Sequence, residues 1–260
     1  MIRQYKITLT TEADVKFSND LGYQFYGLLM ELVDSDFADL MHANGIHPIS
    51  QYILMSKGSD TLIWTINLLS DQACRQISPI IESKDSYYLT KYHCKFTVKQ
   101  IKEDIIPTDE VFLTRAHKLT GFSKVSIEFL TPASFKTDRL YQIFPSAELL
   151  INNLLHRWNS YSEKFLIDDK DAVEAFMHGI RISGYDLRSC YYRVKDVSIP
   201  SFKGEVSFQK KISLPIAELF HALLQFSEYS GIGIKTSLGM GAARIQYKGN
   251  SATDSLDIPI

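Results

Sequence analysis

Between Gly231 and Gly241 the chain reads GIGIKTSLGMG, four glycines in eleven residues. Glycine weakens helix and strand interiors, takes φ > 0 freely, and lets backbone approach a neighbour closely. Regular structure therefore stops on one side of this stretch and restarts on the other. Ala217 to Ser230 carries helical spacing and Ala243 to Tyr247 reads as a strand, so the chain closes as helix, glycine loop, last strand. Successive backbone N–H groups in such a loop form a concave anion site. Lys235 adds a positive charge, and Thr236 and Ser237 add hydroxyls. The expected device is a phosphate cradle built from Gly231, Gly233, Lys235, Thr236, Ser237, Gly239 and Gly241. It is not a Walker loop, which has glycine directly before the Lys-Thr pair where this chain has Ile234. Nor is it a dinucleotide-binding loop, which follows a strand and opens a helix. The plainer alternative is a glycine-capped connection.

The elements before it can be read in order. Arg3 to Leu9 alternates as a strand, and Asp20 is placed to cap a helix over Leu21 to about Val33. A short helix follows over Asp36 to Ala43. Pro48 to Met55 and Leu62 to Leu69 read as strands about a turn at Gly58-Ser59-Asp60, Asp71 opens a helix through Ile81, and Tyr88 to Ile101 reads as one long strand. That order is β-α-β-β-α-β, the ferredoxin-like unit. It then recurs: a strand over Lys124 to Leu130, a helix from Pro145 to Ser160, an inserted helix over Asp169 to His178, a hairpin of Ile180 to Val197 with Phe202 to Ile212, and the helix from Pro215. The expected class is α+β, with tandem ferredoxin-like halves over residues 1–120 and 121–260, joined near Ile105 to Gly121.

Composition excludes some classes. The 260 residues are 45% hydrophobic and 22% charged, as in an ordinary folded domain, and no apolar run approaches the ~20 residues of a membrane span. MIRQYKITLT alternates and lacks a signal peptide's apolar core, so a cytoplasmic protein without a membrane partner is expected. Cys74, Cys94 and Cys190 form no CxxC pair and suit buried packing, so neither a metal site nor a disulfide framework is expected. The net charge of −2 is unevenly spread. Arg181 to Lys248 holds ten basic and five acidic residues, while Glu12 to Asp39 holds seven acidic and one basic. A basic face is therefore available to a polyanion.

Two further stretches fit that reading. On a strand over Tyr88 to Ile101, alternation places Lys91, His93, Lys95 and Lys99 on one face and Tyr92, Cys94, Phe96 and Val98 on the other. Arg181, Arg188, Arg193 and Lys195 lie on the predicted hairpin with Tyr185, Tyr191 and Tyr192 between them, a combination that suits stacking on unpaired bases. Sheet packing and guarding of a strand edge are the competing roles. Arg157 is expected to point outward beside a buried Trp158, and His156, His178 and His221 are expected to be structural. His42 follows a short helix just before Gly45. An exposed histidine titrates near ~6.5 and serves as acid or base at neutral pH, though from the residues alone a helix-capping role is the favoured reading.

The order GxGxxxxxGxG after a late helix resembles the signature of the RAMP superfamily, the RNA-binding proteins of CRISPR systems. LMHANGIHPISQ near the start, TPASFK, YQIFP and LLHRWN in the middle, and the glycine loop together resemble the CRISPR endoribonucleases that cut precursor repeat RNA. The resemblance runs from about Tyr26 to Gly241. It implies tandem ferredoxin-like halves, CRISPR repeat RNA as partner, His42 as the catalytic histidine with Tyr26 assisting, no cofactor, and membership of a CRISPR effector complex, as monomer or homodimer. His47 is the lesser candidate. Some relatives carry a lysine shortly after the histidine; here Ser50, Gln51 and Tyr52 stand there and Lys57 is the nearest. A non-catalytic guide-RNA-binding subunit of the same superfamily is the alternative, and a nucleotide-phosphate enzyme ranks last.

Overall fold

The computed structural model describes residues 1–11, 21–42, 45–55, 61–122, 124–162 and 164–248. The first half contains β1 (Ile2–Thr10), α1 (Leu21–Leu32), α2 (Ser35–His42), β2 (Ile49–Met55), β3 (Thr61–Leu68), α3 (Asp71–Ser83), β4 (Ser86–Leu89) and β5 (Cys94–Ile106). After α4 (Glu110–His117) come β6 (Lys124–Ala133), the small hairpin β7 (Phe135–Thr137) and β8 (Leu140–Gln142), α5 (Ala147–Tyr161), α6 (Lys170–Gly179), β9 (Ile180–Val194), β10 (Val197–Lys210), α7 (Leu214–Ser230) and β11 (Ala243–Lys248). The cap read at Asp20, the turn at Gly58-Ser59-Asp60 and Lys57 lie outside the described residues.

One sheet runs β2-β3-β1-β5-β4 and the other β11-β6-β10-β9, with antiparallel neighbours throughout. In each, the last strand of the β-α-β-β-α-β unit lies beside the first, and the third lies on the first strand's other side. This is the ferredoxin-like order twice over. Local chemistry explains the elements. Tyr5, Ile7 and Leu9 of β1 are 0–1% exposed, so alternation drives one face into the core. Ser70, Ser146 and Asp169 cap α3, α5 and α6 by accepting from backbone N–H groups at 2.9–3.2 Å. Pro215 sits in the first turn of α7, where its missing N–H costs nothing.

Two readings from sequence are corrected. The stretch Tyr88 to Ile101 is not one strand. A 3-10 turn at Thr90–Tyr92 and His93 at φ 50° fold β5 back on β4, pairing Leu89 with Cys94 and Tyr88 with Lys95. Lys91 therefore sits in the turn, Lys95 starts the next strand, and the single basic face does not form. The apolar alternation continues across the turn: Tyr87, Leu89, Cys94 and Phe96 are all buried, which favours the hairpin and hides it from pattern reading. The joint read over Ile105 to Gly121 contains α4. Its Phe112 packs edge-on against Trp158, Phe226 and Tyr229 at 5.6–6.0 Å between ring centres.

A buried polar network ties β2 to the second half. Ser50 donates to the Tyr229 carbonyl and accepts from Asn67, whose amide oxygen accepts from Gln4 at 2.7 Å. Gln51 donates to the carbonyls of Gly22 at 2.7 Å and Ser237 at 2.9 Å, while its own oxygen accepts from Trp64 at 3.0 Å. Each side-chain polar atom in that set except Gln4 Oε1 has a partner, which is what makes its burial tolerable. The network seats the first sheet's β2 edge directly against the glycine loop.

Candidate active site

The glycine loop is folded mostly onto the protein. Ile232 N–H bonds to the Gly241 carbonyl, Gly241 N–H to Pro132, Ile234 N–H to Ser134 and Gly233 N–H to Asn153 Oδ1, all at 2.8–2.9 Å. A Cβ on Gly241, at φ 67°, would lie 1.9 Å from the Ile232 carbonyl oxygen, and one on Gly233, at φ 90°, would lie 2.5 Å from that of Ser134. Gly231, Gly233, Gly239 and Gly241 are buried, so they shape the loop and do not form its outer surface. This corrects the expectation of a cradle lined by glycine N–H groups: they bond to the Ser227 carbonyl of α7, Asn153 Oδ1 of α5, the Thr236 carbonyl and the Pro132 carbonyl of β6. What is left is the tip. Lys235 is exposed at φ 55°, a 3-10 turn spans Thr236–Leu238, and the N–H groups of Lys235, Thr236 and Ser237 meet no acceptor among the described residues.

Arg157 supports the loop from below. It was expected to point outward, but it is 4% exposed, donating to the carbonyls of Ser230 at 2.9 Å and Gly233 at 2.6 Å, with Nε unpartnered. Its fork matches two carbonyls that the helix end and loop leave without donors, which an outward rotamer could not do. Burial lowers its guanidinium to about 10.

The tip faces a cleft of about 410 Å³. Its walls include Tyr23, Tyr26 and His42 from α1 and α2, His47 before β2, Lys195 from the β9–β10 turn, Arg157 from α5, and Lys235, Thr236 and Ser237. Among the described residues no carboxylate lines it, so the walls suit an anion. His42, the last residue of α2, is exposed. Tyr26 is buried, and its hydroxyl donates to the Met41 carbonyl at 3.1 Å, fixing the end of α2 that carries His42. Desolvation pushes that phenol up to about 12. His47 Nδ1 lies 3.0 Å from Ser237 Oγ. Partial desolvation, then nearby Lys136, draws the Lys235 ammonium below its ordinary value.

Other predicted residues lie elsewhere. Arg181 turns back onto the carbonyls of Met177 and Ile180, closing α6. Arg188 and Arg193 point to opposite faces of β9, because residues an odd number apart alternate and the register is regular between them. Lys91 and Lys95 belong to the β4–β5 hairpin, at the opposite edge of the first sheet from β2. His221 is fully buried with Lys210 Nζ at 2.6 Å; burial, and then that ammonium, lower it to about 3. His47 and Arg157 are the cleft residues that sequence reasoning undervalued. The cue for the first was its place in GIHPISQ, one strand start away from the network that grips the loop. No three or more His, Cys, Asp or Glu among the described residues are placed to hold a metal ion.

Two ferredoxin-like sheets thus carry a glycine loop between the last helix and last strand, with its tip in a cleft lined by cations. The family model for the CRISPR-associated endoribonuclease Cas6 matches residues 127–243. The Cas6 endoribonuclease of Streptococcus thermophilus is 28% identical over 243 residues, covering 89% of this chain and 93% of that one. A Mycobacterium tuberculosis Cas6 is 28% identical over 254 residues, covering 93% of this chain and 78% of that one. Among solved structures, a product complex of Thermus thermophilus Cas6 (TTHB231) has a TM-score of 0.75 at 22% identity, covering 94% of this chain and all of that one. The chain is thus similar, over 89% and 93% of its length, to these curated CRISPR-associated Cas6 endoribonucleases.

Proposed function

We propose that this protein cuts CRISPR repeat RNA within precursor transcripts, using the RNA's own 2′-OH and no metal. His42 takes the 2′ proton, O2′ attacks the adjacent phosphorus, and the 5′ oxygen leaves. The products are a 2′,3′-cyclic phosphate and a 5′-OH. Lys235 and the N–H groups of the loop tip meet charge building on the phosphorane, the place where fixed donors lower a barrier most. Tyr26 holds the helix end behind His42. Residues 1–120 present the histidine and residues 121–260 grip the strand. The supporting observation is that His42 and the loop tip, distant in sequence, line one cationic cleft. No helix among the described residues is long and apolar enough to cross a membrane. The setting that fits is cytoplasmic, with the cut guide passed to a CRISPR effector complex.

The test is cleavage of labelled repeat RNA in EDTA. Wild type cuts; His42→Ala loses about 100- to 10,000-fold in single-turnover rate while repeat affinity stays within a few fold. Undiminished cutting by that variant removes His42 from the reaction. Tight binding with no product from wild type favours a guide-RNA-holding subunit instead.

A further inference from the structure

The second sheet ends on β9, a fifteen-residue strand paired with β10 on one side only. Such an edge offers its outward N–H and C=O groups to any further strand. Its charges are mismatched within the chain. Asp186 lies opposite Glu205 of β10, and Arg188 lies opposite Lys203. Like charges directly opposite on one face weaken a ladder. Glu205 has Lys248 at 3.5 Å, but Asp186 and Arg188 are exposed and make no ion pair among the described residues. Apolar surface lies beside the same edge. Ile143, Phe144, Tyr185 and Tyr191 are exposed, with Phe144 edge-on to Tyr185 at 5.4 Å between ring centres.

We propose that β9 pairs antiparallel with β9 of a second copy of this chain, about a two-fold axis at Leu187. Charge sets the register. The axis stands perpendicular to the sheet, so opposed residues share a face and their numbers differ by an even count. From Gly184 to Val194, where pairing with β10 is regular, Asp186 is the one carboxylate. Arg188 is two residues from it and Arg193 is seven, so Arg188 alone can stand opposite. Each Asp186 then meets the other copy's Arg188, twice over by symmetry. The backbone agrees. A Cβ on Gly204 would lie 2.0 Å from the Asp186 carbonyl oxygen, so that carbonyl faces β10. Leu187, the next residue, therefore aims its N–H and C=O at the free edge. It can exchange both bonds with its own copy. Asp186 and Arg188 then form the non-hydrogen-bonded pair, where side chains approach closest. Tyr185 falls diagonal to the other copy's Leu187 and Tyr191, within reach of an aromatic ring. Lys195, which lines the cleft, turns at one end of each β9, about 25 Å from the axis. The two clefts thus open at opposite ends of the joined sheet.

The experiment is solution mass by light scattering on RNA-free protein. Wild type is expected at twice the 29.7 kDa of one chain. Asp186→Arg and Arg188→Asp each set like charges together at both symmetric contacts, and each should weaken association about 100-fold. An equimolar mixture of the two variants restores both contacts, and so does a chain carrying both substitutions. Both samples should return to the two-chain mass, which also shows that neither substitution unfolds the protein. Wild type at one chain mass overturns the proposal. So does a dimer that neither single substitution weakens, or a mixture and double variant that stay single. If wild type is single, and Arg188→Asp loses repeat affinity that Asp186→Arg gains, the proposal falls and the edge belongs to RNA.

Discussion

The two sides of the cleft are built on opposite principles. The loop side is overdetermined. Its glycines are buried, most of its N–H groups bond inward, and Arg157 and Gln51 hold its carbonyls from two directions. The histidine side is sparser: an eight-residue helix, capped by Asp34, ends in an exposed imidazole beside the Tyr26 hydroxyl on the Met41 carbonyl. Holding a phosphate demands donors fixed to a fraction of an ångström, whereas a proton-transfer group needs solvent contact to recharge. Stability and chemistry should therefore separate by side.

The sharpest attempt to break that contrast is Gly241→Ala. The added methyl would press on the Ile232 carbonyl at 1.9 Å from a positive φ, so backbone must move. We expect a loss of about 2–4 kcal/mol in denaturant unfolding, with weakened repeat binding. His42→Ala should shift unfolding by less than about 0.5 kcal/mol while removing cleavage. Equal destabilisation by the two substitutions would erase the distinction.

Arg157 gives the next effect. Arg157→Gln strands the Ser230 and Gly233 carbonyls, at a cost of about 1–3 kcal/mol. It also removes a buried cation beneath the anion site. Arg157→Lys keeps the charge but not the fork. Both should lower stability. Only the glutamine variant should flatten the dependence of log affinity on log salt, by about 0.7 for one lost phosphate interaction. An unchanged slope in Arg157→Gln would make the residue a scaffold alone.

The same contrast explains what was legible in the sequence. The loop could be read because positive φ demands glycine, and four glycines at fixed spacing are visible without a structure. Both ferredoxin-like units could be read because alternation and caps are local. His42 was visible only through the resemblance, since one exposed histidine carries no pattern. Arg157 was misread because a charged residue beside Trp158 looks like the wet side of a helix; its two carbonyl partners lie more than seventy residues away. The contact of His47 was hidden for the same reason, its partner Ser237 being 190 residues on. The β4–β5 turn was hidden because it contains no glycine, proline or asparagine and leaves the apolar rhythm intact.

The smallest effect concerns the helix on which the loop is mounted. Glu228 of α7 is half-buried and accepts the Ile245 N–H at 2.9 Å. Burial raises its carboxyl to about 7, against the opposing pull of that N–H and of Lys6, Arg244 and Arg115. A carboxyl raised on folding favours the protonated folded state. Its contribution to stability is complete below about 4.5 and is lost as pH climbs through about 7. Glu228→Gln keeps an oxygen for Ile245 and removes the titration. Near pH 5 the variant should match wild type. Near pH 8 it should be more stable by about 1–2 kcal/mol, with a flatter profile between. A pH slope that survives in Glu228→Gln would show that the titrating group lies elsewhere.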